Sequence, residues 1–204
     1  MRPPVLCAGC GHRDVFWILR KLKLTVNSDI GCYALGVMPP LGATDTIGCM
    51  GASIGVAAGM RRRGLEGDNV ALIGDSTFFH AGLPALASAV YNGTPITTII
   101  VDNHTTGMTG HQGNPGSGLT LAGDGGHRVD IEAVVRAFLG AADRREQVGQ
   151  HFRRHARARI ADDQLQVQLA FAVHVAAVRD VDAAAAAQRL DGVLHQVHQD
   201  LLED

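Results

Sequence analysis

Aromatic side chains are scarce in this sequence, 4% of 204 residues with a single tryptophan, yet 46% of the chain is hydrophobic, which suits one globular domain with a real core. Charge of one sign is also missing. The formal net charge is −2, so no basic field recruits nucleic acid or an anionic membrane. No uncharged apolar run reaches the length of a membrane span. The opening MRPPVLCAGCGH lacks the apolar centre of a signal peptide, so cytoplasmic residence is the expectation. There is no G-x-x-x-x-G-K-[ST], which excludes a P-loop, and no convincing G-x-G-x-x-G after a strand, which weakens a dinucleotide reading. Cysteine is absent beyond Cys49. Cys7, Cys10, Cys32 and Cys49 all fall in the first quarter, which argues against a disulfide framework spread over a small secreted fold. In a reducing compartment, clustered thiols point to metal or redox chemistry.

What is present, from Val5 to about Gly140, is an alternation of short apolar runs and helix-like stretches rich in glycine. LKLTVNSDIG reads as a strand ending at Asp29-Ile30-Gly31, and GASIGVAAGMRRRG as a helix with Gly64 just past its end. NVALIGD is a buried strand, HAGLPALASAVYNG a helix with Pro84 early in it, and ITTIIVDN a second β-branched strand. VDIEAVVRAFLG is a further helix. Such alternation predicts an α/β fold, a parallel sheet with helices on both faces. Ligands of such sheets collect beyond the carboxyl ends of the strands, and Asp29, Asp75 and Asn103 all stand at those ends. Residues 3–140 are therefore expected to form one domain. Residues 141–204 form an atypical tail without Pro, Cys, Met, Trp or Tyr. Two readings of it stay open: an ordinary helical ending with a strand at QVQLAFAVHV, or a non-native ending such as an out-of-frame continuation.

A carboxylate at one strand end and a carboxamide at the next offer two hard oxygen ligands. Mg²⁺ takes a few such oxygens and completes its shell with water and substrate phosphates. Asp75 and Asn103 are the predicted ligands, with the backbone carbonyl of Thr105 as a third. The Gly74-Asp75-Ser76-Thr77 corner would aim N–H groups and hydroxyls at phosphate oxygens near a helix start.

Gly74-Asp75 followed at a distance by Asn103 resembles the Gly-Asp-x…Asn signature of thiamine diphosphate enzymes. With CAGCGH, SDIGCYALGVMPPLGATDT, CMGASIGVAAGM, IGDSTFFHAGLPAL and VDNHTTGMTGHQGNPGSG, the chain resembles the diphosphate-binding domain of indolepyruvate ferredoxin oxidoreductase α subunits. More loosely it is similar to the β subunits of 2-oxoacid:ferredoxin oxidoreductases. The resemblance implies the thiamin diphosphate-binding fold, with thiamine diphosphate and Mg²⁺ as cofactors. It also implies oxidative decarboxylation of an aryl 2-oxo acid to an acyl-CoA, with electrons passing to ferredoxin. Ser76, Thr77, Gly107 and Met108 would line the diphosphate. Ile30, Gly31, Cys32 and Tyr33 would approach the thiazolium, and Cys49, Met50 and Gly51 the aminopyrimidine. The implied partners are a pyrimidine-binding domain or chain, the small β subunit, ferredoxin and coenzyme A, in an oligomer. The sequence departs from that family in carrying Ser76 where Gly is commonest, in starting at the domain's own edge, and in its tail.

Cys7-x-x-Cys10 with Cys32 matches three of the four ligands that hold a [4Fe–4S] cluster in the resembled enzymes. The other readings are structural or cofactor-lining thiols and a zinc half-site. Among His12, His80 and His111, His12 beside the cysteines is the first choice for proton transfer at the site. Against the oxidoreductase reading stand a non-catalytic cofactor-binding remnant and a non-oxidative thiamine-dependent decarboxylase or synthase.

Overall fold

The computed structural model describes residues 4–65, 69–143, 150–155 and 169–175. Helix α1 (His12–Leu22) leads into strand β1 (Thr25–Ser28), a 3₁₀ stretch (Cys32–Val37) and the short strand β2 (Thr46–Ile47). Helix α2 (Ala52–Arg62) and strand β3 (Asn69–Gly74) follow. A continuous helical segment then comprises α3 (Asp75–Thr77), a π turn (Phe78–Gly82) and α4 (Leu83–Tyr91). Strand β4 (Ile96–Asp102), helix α5 (Ile131–Asp143) and strands β5 (Gln150–His155) and β6 (Leu169–Val175) complete the order.

The strands lie in the order β2-β1-β3-β4-β6-β5. The first four are mutually parallel, as the alternation predicts. The last two are antiparallel, with β6 against β4 from Ile96↔Val175 to Asp102↔Leu169. The strand read at QVQLAFAVHV is present over Leu169–Val175, and two strands of the atypical tail extend the same sheet. The rest of that tail, residues 144–149, 156–168 and 176–204, lies outside the described residues.

Every residue of β3 and β4 is buried, which is what a central strand covered on both faces requires. Side-chain alternation sorts them between two layers. Ala71, Ile73, Ile96 and Ile100 pack with Ile54 and Ala57 of α2, Leu86 and Ala89 of α4, and Val135 and Leu139 of α5. Val70, Leu72, Ile99 and Val101 face the other way, onto Phe16 and Leu19 of α1, Val26 and Tyr33. Helices thus cover both faces. The α1 helix and the 3₁₀ stretch are elements that the alternation of runs does not single out.

Polar groups inside the sheet are tied across it. The Thr46 hydroxyl donates to Asn27 Oδ1 at 2.8 Å, Asn27 Nδ2 to Asn69 Oδ1 at 2.6 Å, and Asn69 Nδ2 to the Ala57 carbonyl at 2.7 Å. This chain of donors fixes β2, β1, β3 and α2 relative to one another without orphaned amides. Register does the rest: Ile73 pairs with Ile100 and Gly74 with Val101, so Asp75 and Asp102 follow side by side.

Candidate functional site

A cleft opens at the carboxyl ends of β1, β3 and β4, and three loops line it. The loop after β1 supplies Ile30, Gly31, Cys32 and Tyr33. The β3–α3 corner supplies Gly74, Asp75, Ser76 and Thr77, and the loop after β4 supplies Asn103, Thr105, Gly107 and Met108. Residues predicted as far apart as Ile30 and Met108 therefore meet in one concavity. His12, 2% exposed at the start of α1, lines it too. Of the 49–51 stretch only Met50 reaches the lining. Cys49 is exposed, and Gly51 stands behind the wall, its N–H donating to Asp29. His80 and His111 are exposed.

Asp75 is the chemical centre. It caps a buried strand at the head of a helical segment and is itself 3% exposed. Desolvation pushes its carboxyl up to about 7, and the neighbouring Asp102 carboxylate adds to the rise. The side-chain amide of Asn114, donating to Oδ2 at 3.0 Å, and the Ser76 N–H oppose it. Among the described residues no cationic side chain pairs with it. Asp102, by contrast, accepts from the His104 N–H at 2.9 Å and faces the His104 ring at 3.0 Å.

The third loop is fastened to the corner by hydroxyls. Thr106 Oγ1 donates to Ser76 Oγ at 2.8 Å, and the Thr105 N–H donates to Asn103 Oδ1 at 3.2 Å. A Cβ on Gly107 would stand 3.3 Å from Cys32 Sγ, so the loop's backbone passes close to the thiol. Burial raises the Cys32 thiol, and charge on Cys10 and Cys7 pushes the same way. None of the four cysteines is in a disulfide. Among the described residues no group of three or more His, Cys, Asp or Glu side chains is arranged to hold a metal ion. Cys7, Cys10 and Cys32 are thus neighbours but not a gathered ligand set.

The donor set fits a hard divalent cation carrying a diphosphate. It offers a buried carboxylate that no cationic side chain among the described residues pairs with, a carboxamide oxygen at the adjoining strand end, and hydroxyls of Ser76, Thr77 and Thr106. Half-exposed Ile30, Met50 and Met108 give the mouth an apolar rim suited to an aromatic ring.

Sequence reasoning missed Asn114, Asp102 and Thr106, and grouped Asp29 with Asp75 and Asn103 only as residues at the strand ends where ligands collect. Asp29 is fully buried and not part of the lining. Its Oδ1 accepts from the Tyr33 hydroxyl, and its Oδ2 from the N–H groups of Gly51 at 3.1 Å and Ser53 at 3.2 Å. Asn114 had no signal beyond its place in a Gly- and Pro-rich loop. Asn114→Ala should cost about 1–3 kcal/mol, because it leaves a buried carboxylate short of a donor. The fall in Tm should be larger at pH 8, where Asp75 is ionised, than at pH 5, and thermal unfolding at the two pH values checks this.

Comparison with known proteins bears on this geometry. Residues 29–187 match the family model described as thiamine pyrophosphate enzyme, C-terminal TPP binding domain. The indolepyruvate oxidoreductase subunit IorA of Archaeoglobus fulgidus is 49% identical over 140 residues, which cover 66% of this chain and 22% of that protein. The subunit of the same name from Pyrococcus horikoshii is 49% identical over 153 residues, covering 67% and 24%. The chain spans about a quarter of the length of these relatives. Among solved structures, 2-oxoglutarate:ferredoxin oxidoreductase from Magnetococcus marinus, with 2-oxoglutarate, coenzyme A and succinyl-CoA bound, aligns with a TM-score of 0.54 at 20% identity. That alignment covers 67% of this chain and 52% of the other and speaks for the fold alone.

Proposed function

The chain belongs to the thiamine pyrophosphate enzyme C-terminal TPP binding domain family, and from that premise we propose that it forms the diphosphate-binding part of an indolepyruvate-type ferredoxin oxidoreductase. One observation carries this reading: Asp75 and the Asn103 loop, on adjacent parallel strands, open into a single cleft, and among the described residues the buried carboxylate there has no cationic partner. Asp75, Asn103 and the Thr105 carbonyl would hold Mg²⁺, and through it the diphosphate. Ser76, Thr77 and the Gly107–Met108 backbone would take phosphate oxygens.

When bound, thiamine diphosphate supplies the nucleophilic carbon that adds to a 2-oxo acid and allows its decarboxylation. The chain's own residues bind and orient. Asp75 and Asn103 would hold the cation that offsets the diphosphate's charge, and the Thr106–Ser76 hydroxyl pair closes the third loop on the corner. Ile30, Met50 and Met108 would shield the rim around a bound aromatic ring, and His12, which lines the wall, would hold or move a proton there. Among the described residues no helix is long and apolar enough to cross a membrane.

The remaining partners follow from the same reading: a pyrimidine-binding domain or chain, a β subunit, coenzyme A and ferredoxin, in a cytoplasmic oligomer. An iron–sulfur cluster fits only in part. A [4Fe–4S] cluster takes four thiolates, and Cys7, Cys10 and Cys32 offer three that assembly would have to draw together. Cys49 or a partner chain would supply the fourth. The test is direct. The full chain is titrated with thiamine diphosphate and Mg²⁺, its iron is measured after anaerobic preparation, and arylpyruvate-dependent dye reduction is assayed with and without the β subunit and a pyrimidine-binding chain. Saturable Mg²⁺-dependent binding with turnover only in the reconstituted mixture is expected. Binding with no turnover in any pairing would leave a non-catalytic cofactor-binding chain, and decarboxylation of the arylpyruvate without dye reduction a non-oxidative one.

A further inference from the structure

The structure assigns to Asp29 and Tyr33 a positioning role: together they form a buried peg that locks the loop after β1, the N-terminus of α2 and the Gly74–Asp75 corner to one another. Neither side chain needs to touch the cation or the substrate for this. The ligand named here rests on the function proposed above; the mechanical coupling does not.

Asp29 is fully buried and Tyr33 is 2% exposed. A carboxylate so deep in the fold persists only if its oxygens are well supplied with donors, and these donors come from two different loops. The Tyr33 hydroxyl, which also lies 3.1 Å from the Ile30 carbonyl, belongs to the loop after β1. The Gly51 and Ser53 N–H groups belong to the N-terminus of α2, whose cap has no side-chain acceptor of its own. Asp29 therefore serves as that missing cap from a distance of 22 residues. It ties the Met50 side of the cleft to the Cys32 side.

The ring of Tyr33 makes the third connection. It is pressed against two glycines at once: a Cβ on Gly31 would run into it, and a Cβ on Gly74 would stand 2.5 Å from Cε1. Gly74 is the residue that turns β3 into the corner bearing Asp75. Thr77 Oγ1 donates back to the Ile30 carbonyl at 3.3 Å, closing the circuit from the corner to the first loop. The corner is thus positioned by an aromatic wall that Asp29 holds upright. Released from that anchor, the ring can tilt, and the Asp75 carboxylate moves with Gly74.

Tyr33→Phe keeps the ring against both glycines and deletes only the hydroxyl, so its effect isolates the anchor. Hydrogen exchange followed by mass spectrometry on the full chain reads it without any ligand. Amides of segments 30–33, 51–53 and 74–77 should exchange about tenfold faster, with α5 unchanged. The dissociation constant for thiamine diphosphate with Mg²⁺, taken well below the variant's Tm, should rise about tenfold. Asp29→Asn is the second variant. Its amide can still donate to the Tyr33 oxygen while the hydroxyl turns to Ile30, so its effect should be smaller and confined to 51–53. Unchanged exchange at 74–77 in Tyr33→Phe overturns the coupling, as does a uniform rise across the whole chain that merely tracks a lower Tm. If wild-type chain fails to bind thiamine diphosphate, the functional reading falls, and the exchange result still decides the role of the pair.

Discussion

Asp75→Asn should abolish Mg²⁺-dependent binding of thiamine diphosphate while making the metal-free chain harder to unfold. The two effects have one cause. Asp75 is a carboxylate kept at the carboxyl edge of β3 with an amide, an N–H and a second carboxylate around it and, among the described residues, no cation. Its ionisation is a cost to the folded chain that a divalent ion would offset. The variant keeps the volume and an acceptor for Asn114 but loses the charge, so the dissociation constant should rise by about a hundredfold or more. The sign of the stability effect follows from linkage. The carboxyl titrates at 3.8 when unfolded and is pushed up to about 7 when folded. Stability is therefore fully present below the unfolded value and is lost as pH rises through the folded one, by at most about 4 kcal/mol. Tm of Asp75→Asn should exceed that of the wild type at pH 8, and the difference should vanish near pH 4. A variant less stable than wild type at pH 8 would show that Asp75 has a cationic partner after all. This is the trade expected where a site stores destabilisation for its ligand.

The parts of this site that are legible in the sequence are those set by backbone periodicity. An apolar run that ends in a polar residue is visible without coordinates, and the fold class then says where such ends gather, so Asp75 and Asn103 can be found. Asp29 shows the limit of that argument. It too ends an apolar run, but whether a side chain at a strand end faces the cleft or the core depends on its neighbours, and Gly51 and Ser53 draw it inward. Asn114 is invisible for a different reason. It reaches Asp75 across 39 residues from a loop with no periodicity, and only tertiary contact reveals it. Asp102 could be inferred only from the register of β3 against β4, which no single strand encodes. The tail repeats the lesson: the alternation in LAFAVHV marks a strand, but nothing local dictates that it pairs with β4 antiparallel.

Proton and cation should compete for the same oxygen atoms, and that competition gives the second large effect. Above pH 7 the Asp75 carboxyl is ionised and a divalent cation displaces nothing. Below it, a proton must leave for each cation that enters, so affinity for thiamine diphosphate with Mg²⁺ should fall by about tenfold per pH unit, about a hundredfold between pH 7 and pH 5. The ligand's own terminal phosphate gains a proton near pH 6 and would bend the same curve. Two measurements separate the sources. Calorimetric titrations in buffers of different ionisation enthalpy count the protons released: about one per cofactor from the protein at pH 6 and close to none at pH 8, whereas a ligand-only effect would make bound phosphate the sole donor. The metal alone supplies the cleaner arm, because Mn²⁺ binding followed by its paramagnetic signal involves no phosphate. Its pH dependence should turn over near 7 in the wild type. Asp102 stands beside Asp75 and raises it, so Asp102→Asn should move that turning point towards lower pH, and a turning point that stays put would place the titrating group elsewhere in the cleft.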